Sequence, residues 1–135
     1  MKLSRASAIA VFAVTLMAET ESDEPKQGRD LAEKLGVPPD SLLKVMQQLV
    51  RSGLLSSSRG RAGGFRLARP PESITLLNVV EAVDGEMGGQ LTNADDIRGM
   101  ARTKAAVESA FTQTILSMRN LLGQTTIRDL MNHSH

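Results

Sequence analysis

Residues 28–69 read "GRDLAEKLGVPPDSLLKVMQQLVRSGLLSSSRGRAGGFRLAR", and their glycines and prolines separate two short apolar-faced segments from a basic tail. Leu31, Ala32 and Leu35 share one face of a first predicted helix. Gly36 ends this helix, because glycine readily adopts the left-handed backbone that closes one. A second helix begins at Asp40 or a neighbour and ends before Gly53. Its apolar stripe consists of Leu42, Val45, Met46, Leu49 and Val50.

Two short helices joined by a tight glycine turn are typical of the helix-turn-helix that binds DNA, although any helical hairpin shares the outline. The polar residues of the second helix are Asp40, Ser41, Lys44, Gln47 and Gln48. Those near its N-terminus are expected to face the major groove, where Ser and Gln bond base edges and Lys44 reaches guanine or phosphate. Asp40 has a second interpretation, which we favour: a first-turn acid stabilises the helix dipole.

The basic tail predicts a β-hairpin. Phe65 and Leu67 alternate with Arg66, a period of two that indicates a strand with one buried face, and the glycine-rich centre allows a tight turn. A hairpin directly after a recognition helix is the wing of a winged helix. Arg59 and Arg61 at the tip, with Arg66 on the outward face, are expected to meet phosphates or a narrow minor groove. The alternative is a solvated basic hairpin with no partner.

The N-terminal residues 1–19, "MKLSRASAIAVFAVTLMAE", fit two interpretations. Basic residues followed by an apolar run are typical of a secretory signal peptide. The same run is also a helix capped by Ser4, with one apolar face that packs in a core. That face consists of Ala6, Ile9, Ala10, Ala13, Leu16 and Met17. The run is too short to span a bilayer.

The second half of the chain predicts three helices. Thr75 caps one that runs through Val83, and Thr126 with Asp129 caps a last short one. Between them, residues 102–122 form a helix about 30 Å long, which Gly123 is expected to stop. Its apolar stripe consists of Val107, Phe111, Ile115, Met118 and Leu122. Pairing with a second copy would bury so long a stripe, and packing within the domain is the alternative.

The amino-acid composition excludes several classes of function. The chain of 135 residues has a net charge of +1, but residues 1–69 carry 11 Lys/Arg against 7 Asp/Glu, which favours an anionic partner for that half. It has no cysteine, which excludes disulfides, Cys nucleophiles and Cys-ligated clusters. Its histidines are His133 and His135 alone, so a nucleophile with a His base is not expected. No cofactor motif is present, and we expect neither an enzyme nor a bound cofactor.

Three segments carry a resemblance to a known family: "LAEKLGV", "LVRSGLLSSSRGRAGGFRLAR" and "ITLLNVVEAVDG". Together with the opening "MKLS" they resemble the winged-helix regulators of the Rrf2 family, and the wing with its double glycine is the most specific element. The resemblance implies homodimers on palindromic operators, mostly repressing transcription, with a long C-terminal helix forming the dimer. It implies that Lys2 and Arg5 contact the DNA backbone and that the helix from about Pro39 enters the major groove. It also implies a core helix at the N-terminus.

The chain lacks the cluster cysteines of many family members. Many members hold an iron–sulfur cluster through three cysteines between the fourth helix and the dimer helix. The corresponding residues 86–104 contain no Cys or His. The cluster chemistry is therefore not carried over, and cysteine-based redox sensing is excluded.

We therefore expect a mainly α fold with a small two-stranded β wing. Residues 1–86 would form a winged helix-turn-helix domain, 87–101 a connecting loop, and 102–135 a dimerisation helix with a last short helix. The expected protein is a cytoplasmic, homodimeric transcriptional regulator that binds double-stranded DNA and does not contact a membrane. A winged-helix module that binds an acidic protein is the alternative. A small-molecule effector could bind between the dimer helix and the winged domain, but no residue of the sequence identifies such a ligand.

Overall fold

The computed structural model describes residues 3–20, 22–88 and 97–131. Helix α1 spans Arg5–Glu19 and begins after Ser4, whose Oγ accepts the Ser7 backbone N–H. Its buried face belongs to the core of the domain, as the core-helix interpretation of this segment predicts. The hydrophobic residues of that face are Ile9, Ala10, Ala13, Val14 and Met17.

The predicted helix-turn-helix is present as α2, Gly28–Leu35, and α3, Pro39–Arg51. Gly36 closes α2 in the left-handed conformation at φ 67°, as expected for a glycine at this position. Gln27 occupies the N-cap position of α2, one residue before the expected Gly28, and its side chain makes no capping bond. Pro39 fits the first turn of α3, because a backbone N–H at that position would have no acceptor within the helix.

The predicted wing is a two-stranded antiparallel sheet. Strands β1, Leu55–Ser58, and β2, Gly64–Leu67, pair so that Leu55 lies opposite Leu67. A third segment supports the hairpin, because the backbone N–H and C=O of Lys26 each bond Phe65 at 2.8 Å. The Phe65 ring is buried among the helices, which holds a hairpin that would be marginal alone.

Three helices follow the wing and a short 3-10 turn at Pro71–Ser73: α4, Leu76–Asp84, α5, Ala101–Gln124, and α6, Ile127–Met131. Thr75 and Asn78 form a reciprocal capping box at α4. Thr126 and Asp129 bond each other's backbone N–H groups at α6, as expected. The prediction that Gly123 stops α5 was wrong, because α5 includes Gly123 as its next-to-last residue and ends at Gln124. Gly123 lies against Leu77 of α4.

The core lies where α1 packs against α3, α4 and α6. Backbone bonds from Leu76 to Thr125 and from Ile127 to Ile74 return the end of the chain to the start of α4. By contrast, α5 buries no residue within the single chain. None of the helices in the described part of the chain is both long and apolar enough to cross a membrane.

Candidate nucleic-acid interface

One side of α3 is entirely exposed. Asp40, Lys44, Gln47 and Arg51 recur at i, i+4, i+7 and i+11, which places them in one row opposite the buried side of the helix. Pro39 and Ser41 are also exposed, beside this row. The sequence reasoning missed Arg51, although its spacing from Lys44 and Gln47 would have placed it on the same face.

A groove between α1 and α3 brings three of the predicted residues together. Arg5 from α1 lines it with Ser41 and Lys44 from α3. The carboxylate of Asp84 lines the same groove and accepts bonds from the backbone N–H and the hydroxyl of Ser4. These bonds hold the start of α1, and hence Arg5, beside α3. Lys2, predicted to act with Arg5, lies outside the described residues.

A second groove joins α3 to the wing. Gln47 and Arg51 line it from α3, and Arg59 lines it from the hairpin. Arg59, Arg61 and Arg66 are all exposed. The ion pairs found within residues 3–20, 22–88 and 97–131 are Lys104–Glu108 and Arg119–Glu81, so none of the three wing arginines is neutralised by an ion pair there.

The double glycine of the wing is explained by close backbone contacts. A Cβ on Gly63 would overlap the carbonyl oxygen of Ser58. A Cβ on Gly64 would lie 2.6 Å from the carbonyl oxygen of Lys26, and Gly64 has φ 147°. A larger residue at Gly64 would therefore displace the hairpin from the Lys26 segment that supports it, and one at Gly63 would distort the turn of the hairpin.

These positions define a cationic face that runs from α1 across α3 to the wing. Arg5, Lys44, Arg51 and Arg59 line the two grooves, and we include with them Arg61 and Arg66, which are exposed on the same hairpin. Arg66 also lines a separate groove with Asp23 and Glu24. A helix with exposed Ser, Lys and Gln side chains has the dimensions and donors for a major groove. Guanidinium groups on a flanking hairpin suit phosphates or a narrow minor groove.

The two halves of the predicted apolar stripe of α5 differ in exposure. Val107 and Phe111 are 43% and 51% exposed. Ile115, Met118 and Leu122 are half-buried within the same chain. The N-terminal half of the stripe is thus the part open to a second molecule.

The sequence and the fold are similar to those of known proteins. The sequence profile of the Rrf2 family, described as iron-dependent transcriptional regulators, matches residues 3–133. A candidate helix-turn-helix transcriptional regulator of Mycobacterium tuberculosis is 29% identical over 130 residues, covering 96% of this chain and 81% of its own. The regulator NsrR of Bacillus licheniformis is 23% identical over 137 residues, covering 100% of this chain and 96% of its own.

Solved structures share the fold. CymR, the global cysteine regulator of B. subtilis, superposes with a TM-score of 0.81 at 19% identity, covering 100% of this chain and 99% of its own. IscR of T. potens superposes with a TM-score of 0.73 at 23% identity, covering 100% of this chain and 89% of its own. Both likenesses extend over the whole chain, including α5.

The iron in the family description does not fit the residues of this chain. The sequence contains no cysteine, so no thiolate is available to hold an iron–sulfur cluster. In the part of the chain that the structure describes, no three His, Cys, Asp or Glu side chains group as metal ligands. His133, His135 and the adjacent acids Asp95 and Asp96 lie outside that part.

The assignment follows from the extent of the profile match. It covers all six helices and the wing, and relatives that share most of this chain are named as transcriptional regulators rather than enzymes. The chain has no cysteine, but the helices and the wing of the winged-helix fold are present. The chain belongs to the Rrf2 family of DNA-binding transcriptional regulators.

Proposed function

We propose that this protein represses transcription as a homodimer bound to a palindromic operator, without an iron–sulfur cluster. The observation that carries the proposal is the cationic face on α1, α3 and the wing, whose wing arginines are free of ion pairs among the described residues. Six basic side chains directed at solvent from three adjacent elements match the regular negative charge of a duplex.

Each element has a separate role in this proposal. Ser41, Lys44 and Gln47 read base edges from α3, whose N-terminal end, starting at Pro39, enters the major groove. Asp40 stabilises the start of α3 through the helix dipole. The remaining basic residues contact phosphates or the minor groove beside α3. They are Lys2, Arg5, Arg59, Arg61 and Arg66.

The dimer in this proposal forms through α5. The 24 residues of this helix bury no side chain within one chain, and Val107 and Phe111 are open to solvent. A second copy would cover this stripe and place two recognition helices on one side of a duplex. The stripe includes Ile115, Met118 and Leu122 as its half-buried continuation. Residues 1–86, with α6 packed into their core, would then act as the DNA-binding unit, 87–101 as the connection and α5 as the dimer unit.

Repression follows from occupancy, since a bound dimer excludes polymerase from the same duplex. A protein with this role acts where chromosomal DNA lies, so we propose a cytoplasmic location. Without cluster ligands, a signal would reach the protein as a small molecule between α5 and the winged domain, or through a partner protein.

Selection of bound sequences from a random duplex pool tests the proposal. We expect enrichment of an inverted repeat whose half-sites lie about one helical turn, roughly 10 bp, apart or a multiple of it. Binding to the selected duplex should weaken steeply with salt, by about 0.9 in log affinity per log salt for each phosphate contacted. No enrichment, with a flat salt response, would overturn the proposal in favour of a module that binds an acidic protein.

A further inference from the structure

The tip of the wing has one side-chain tether to the body of the protein. In residues 3–20, 22–88 and 97–131, the bond that reaches the loop at residues 59–63 from outside the hairpin runs from Gln27. The Gln27 side-chain Nε2 donates to the carbonyl oxygen of Arg61 at 3.1 Å, across 34 residues of sequence. The tip is otherwise a tight turn closed by the Gly63 N–H on the Gly60 carbonyl at 3.0 Å.

Gln27 occupies a position where a side chain ordinarily serves its own helix. It is the residue before α2, where Ser, Thr, Asp and Asn commonly cap the first free N–H groups. Its side chain makes no capping bond there and reaches the wing instead. Its neighbour Lys26 bonds Phe65 through the backbone, so this one corner of the helix-turn-helix holds both strand β2 and the tip of the hairpin.

The bonded carbonyl belongs to one of the two tip arginines of the cationic face. Fixing the Arg61 peptide fixes the direction in which the Arg61 side chain leaves the turn, and it restrains Arg59 two residues earlier. A tip ordered before binding loses less conformational freedom on the duplex than a mobile one.

We propose that Gln27 is a positioning residue for DNA binding: its amide holds the wing tip so that Arg59 and Arg61 reach the duplex together with α3. The inference rests on the proposed DNA-binding role of the cationic face. Gln27 would not contact DNA itself but would act through its bond to the Arg61 carbonyl oxygen.

The test compares Gln27→Met, which keeps the length of the side chain and removes the donor, with Gln113→Met on α5. Both glutamines are exposed, so both variants should fold. Operator affinity is measured for each variant in the wild-type, Arg59→Ala/Arg61→Ala and Lys44→Ala backgrounds. Amide hydrogen exchange of residues 59–66 is measured without DNA.

We expect Gln27→Met to lower operator affinity about threefold to tenfold, the range of one net hydrogen bond, and to flatten its salt dependence. The loss should disappear when Arg59 and Arg61 are already alanine, and persist beside Lys44→Ala. Exchange at the tip should accelerate. Gln113→Met should match the wild type in every measurement.

Unchanged affinity of Gln27→Met, or an equal loss in the Arg59→Ala/Arg61→Ala background, would overturn the inference, because Gln27 would then act independently of the tip. Unchanged exchange at residues 59–66 would overturn it as well. Failure of the wild-type protein to bind any duplex, with exchange accelerated in Gln27→Met, would instead overturn the proposed function and leave the tether established.

Discussion

The Arg119 guanidinium on α5 donates to the Glu81 carboxylate on α4, and both side chains are largely buried, at 27% and 21% exposure. Glu81 also accepts the Met87 backbone N–H at 2.8 Å, so one carboxylate joins α5, α4 and the segment that follows α4. This is the ion pair in the described chain that connects the C-terminal helix to the winged domain.

Removing the Arg119–Glu81 pair should destabilise the protein. We expect Arg119→Ala to lower the free energy of unfolding by about 1–2 kcal/mol, since the Glu81 charge is left without its cation in a partly buried site. Urea denaturation of Arg119→Ala, Glu81→Ala and the double variant gives the coupling between them. The matched control is Lys104→Ala, which breaks an exposed pair at 4.0 Å and should cost under about 0.5 kcal/mol. Additive losses in the double variant would contradict the assignment.

Replacing Arg59 and Arg61 by alanine should flatten the salt dependence of DNA binding. If each arginine neutralises one phosphate, the slope of log affinity against log salt falls by about 1.8 for each wing. Binding titrations over a range of salt concentrations measure it. Arg98→Ala/Arg128→Ala is the control, because it removes the same charge from exposed sites outside the cationic face. Equal slopes for the two double variants would remove the wing from the interface.

Gly64→Ala should displace the wing. Its Cβ would lie 2.6 Å from the Lys26 carbonyl oxygen at a φ that side chains rarely adopt, and we expect a loss of about 1–3 kcal/mol in unfolding free energy. Operator affinity should fall with it. Gly88→Ala provides the comparison, since open space surrounds that glycine, and it should stay within about 0.5 kcal/mol of the wild type. Equal stability of both variants in urea would refute the close contact with Lys26.

Phe111→Glu should yield a monomer. Phe111 is 51% exposed on α5, and a carboxylate there would lose its hydration if a second copy covered it. Sedimentation velocity measures the state of association, and operator affinity should fall because two half-sites no longer bind together. Gln113→Glu adds the same charge on the opposite side of α5 and should remain dimeric. A wild-type protein that sediments as a monomer would exclude the α5 dimer.

The sequence predicted the helix-turn-helix and the wing because their signals are local. Gly36 ends α2 through its own backbone freedom, and the stripe from Leu42 to Leu49 needs only the helical repeat to be recognised. The alternation at Phe65 and Leu67 likewise specifies which face of the strand is buried. The absence of cysteine excluded a thiolate-held cluster without any structure.

The extent of the candidate site was only partly predicted. Ser41, Lys44, Gln47 and the wing arginines were expected and are exposed, but Arg51 was missed. Its importance comes from the groove in which it meets Arg59, and the packing of α3 against the hairpin creates that groove.

By itself, then, the sequence determined the helix-turn-helix, the basic hairpin and the absence of cysteine-based cluster chemistry. The tertiary structure alone decided that α5 extends to Gln124 and that the Gln27 side chain bonds the wing tip. The reason is the range of the forces involved. Backbone preferences and helical periodicity act within a few residues, whereas the bond from Gln27 to Arg61 joins groups 34 residues apart that only the folded core brings together.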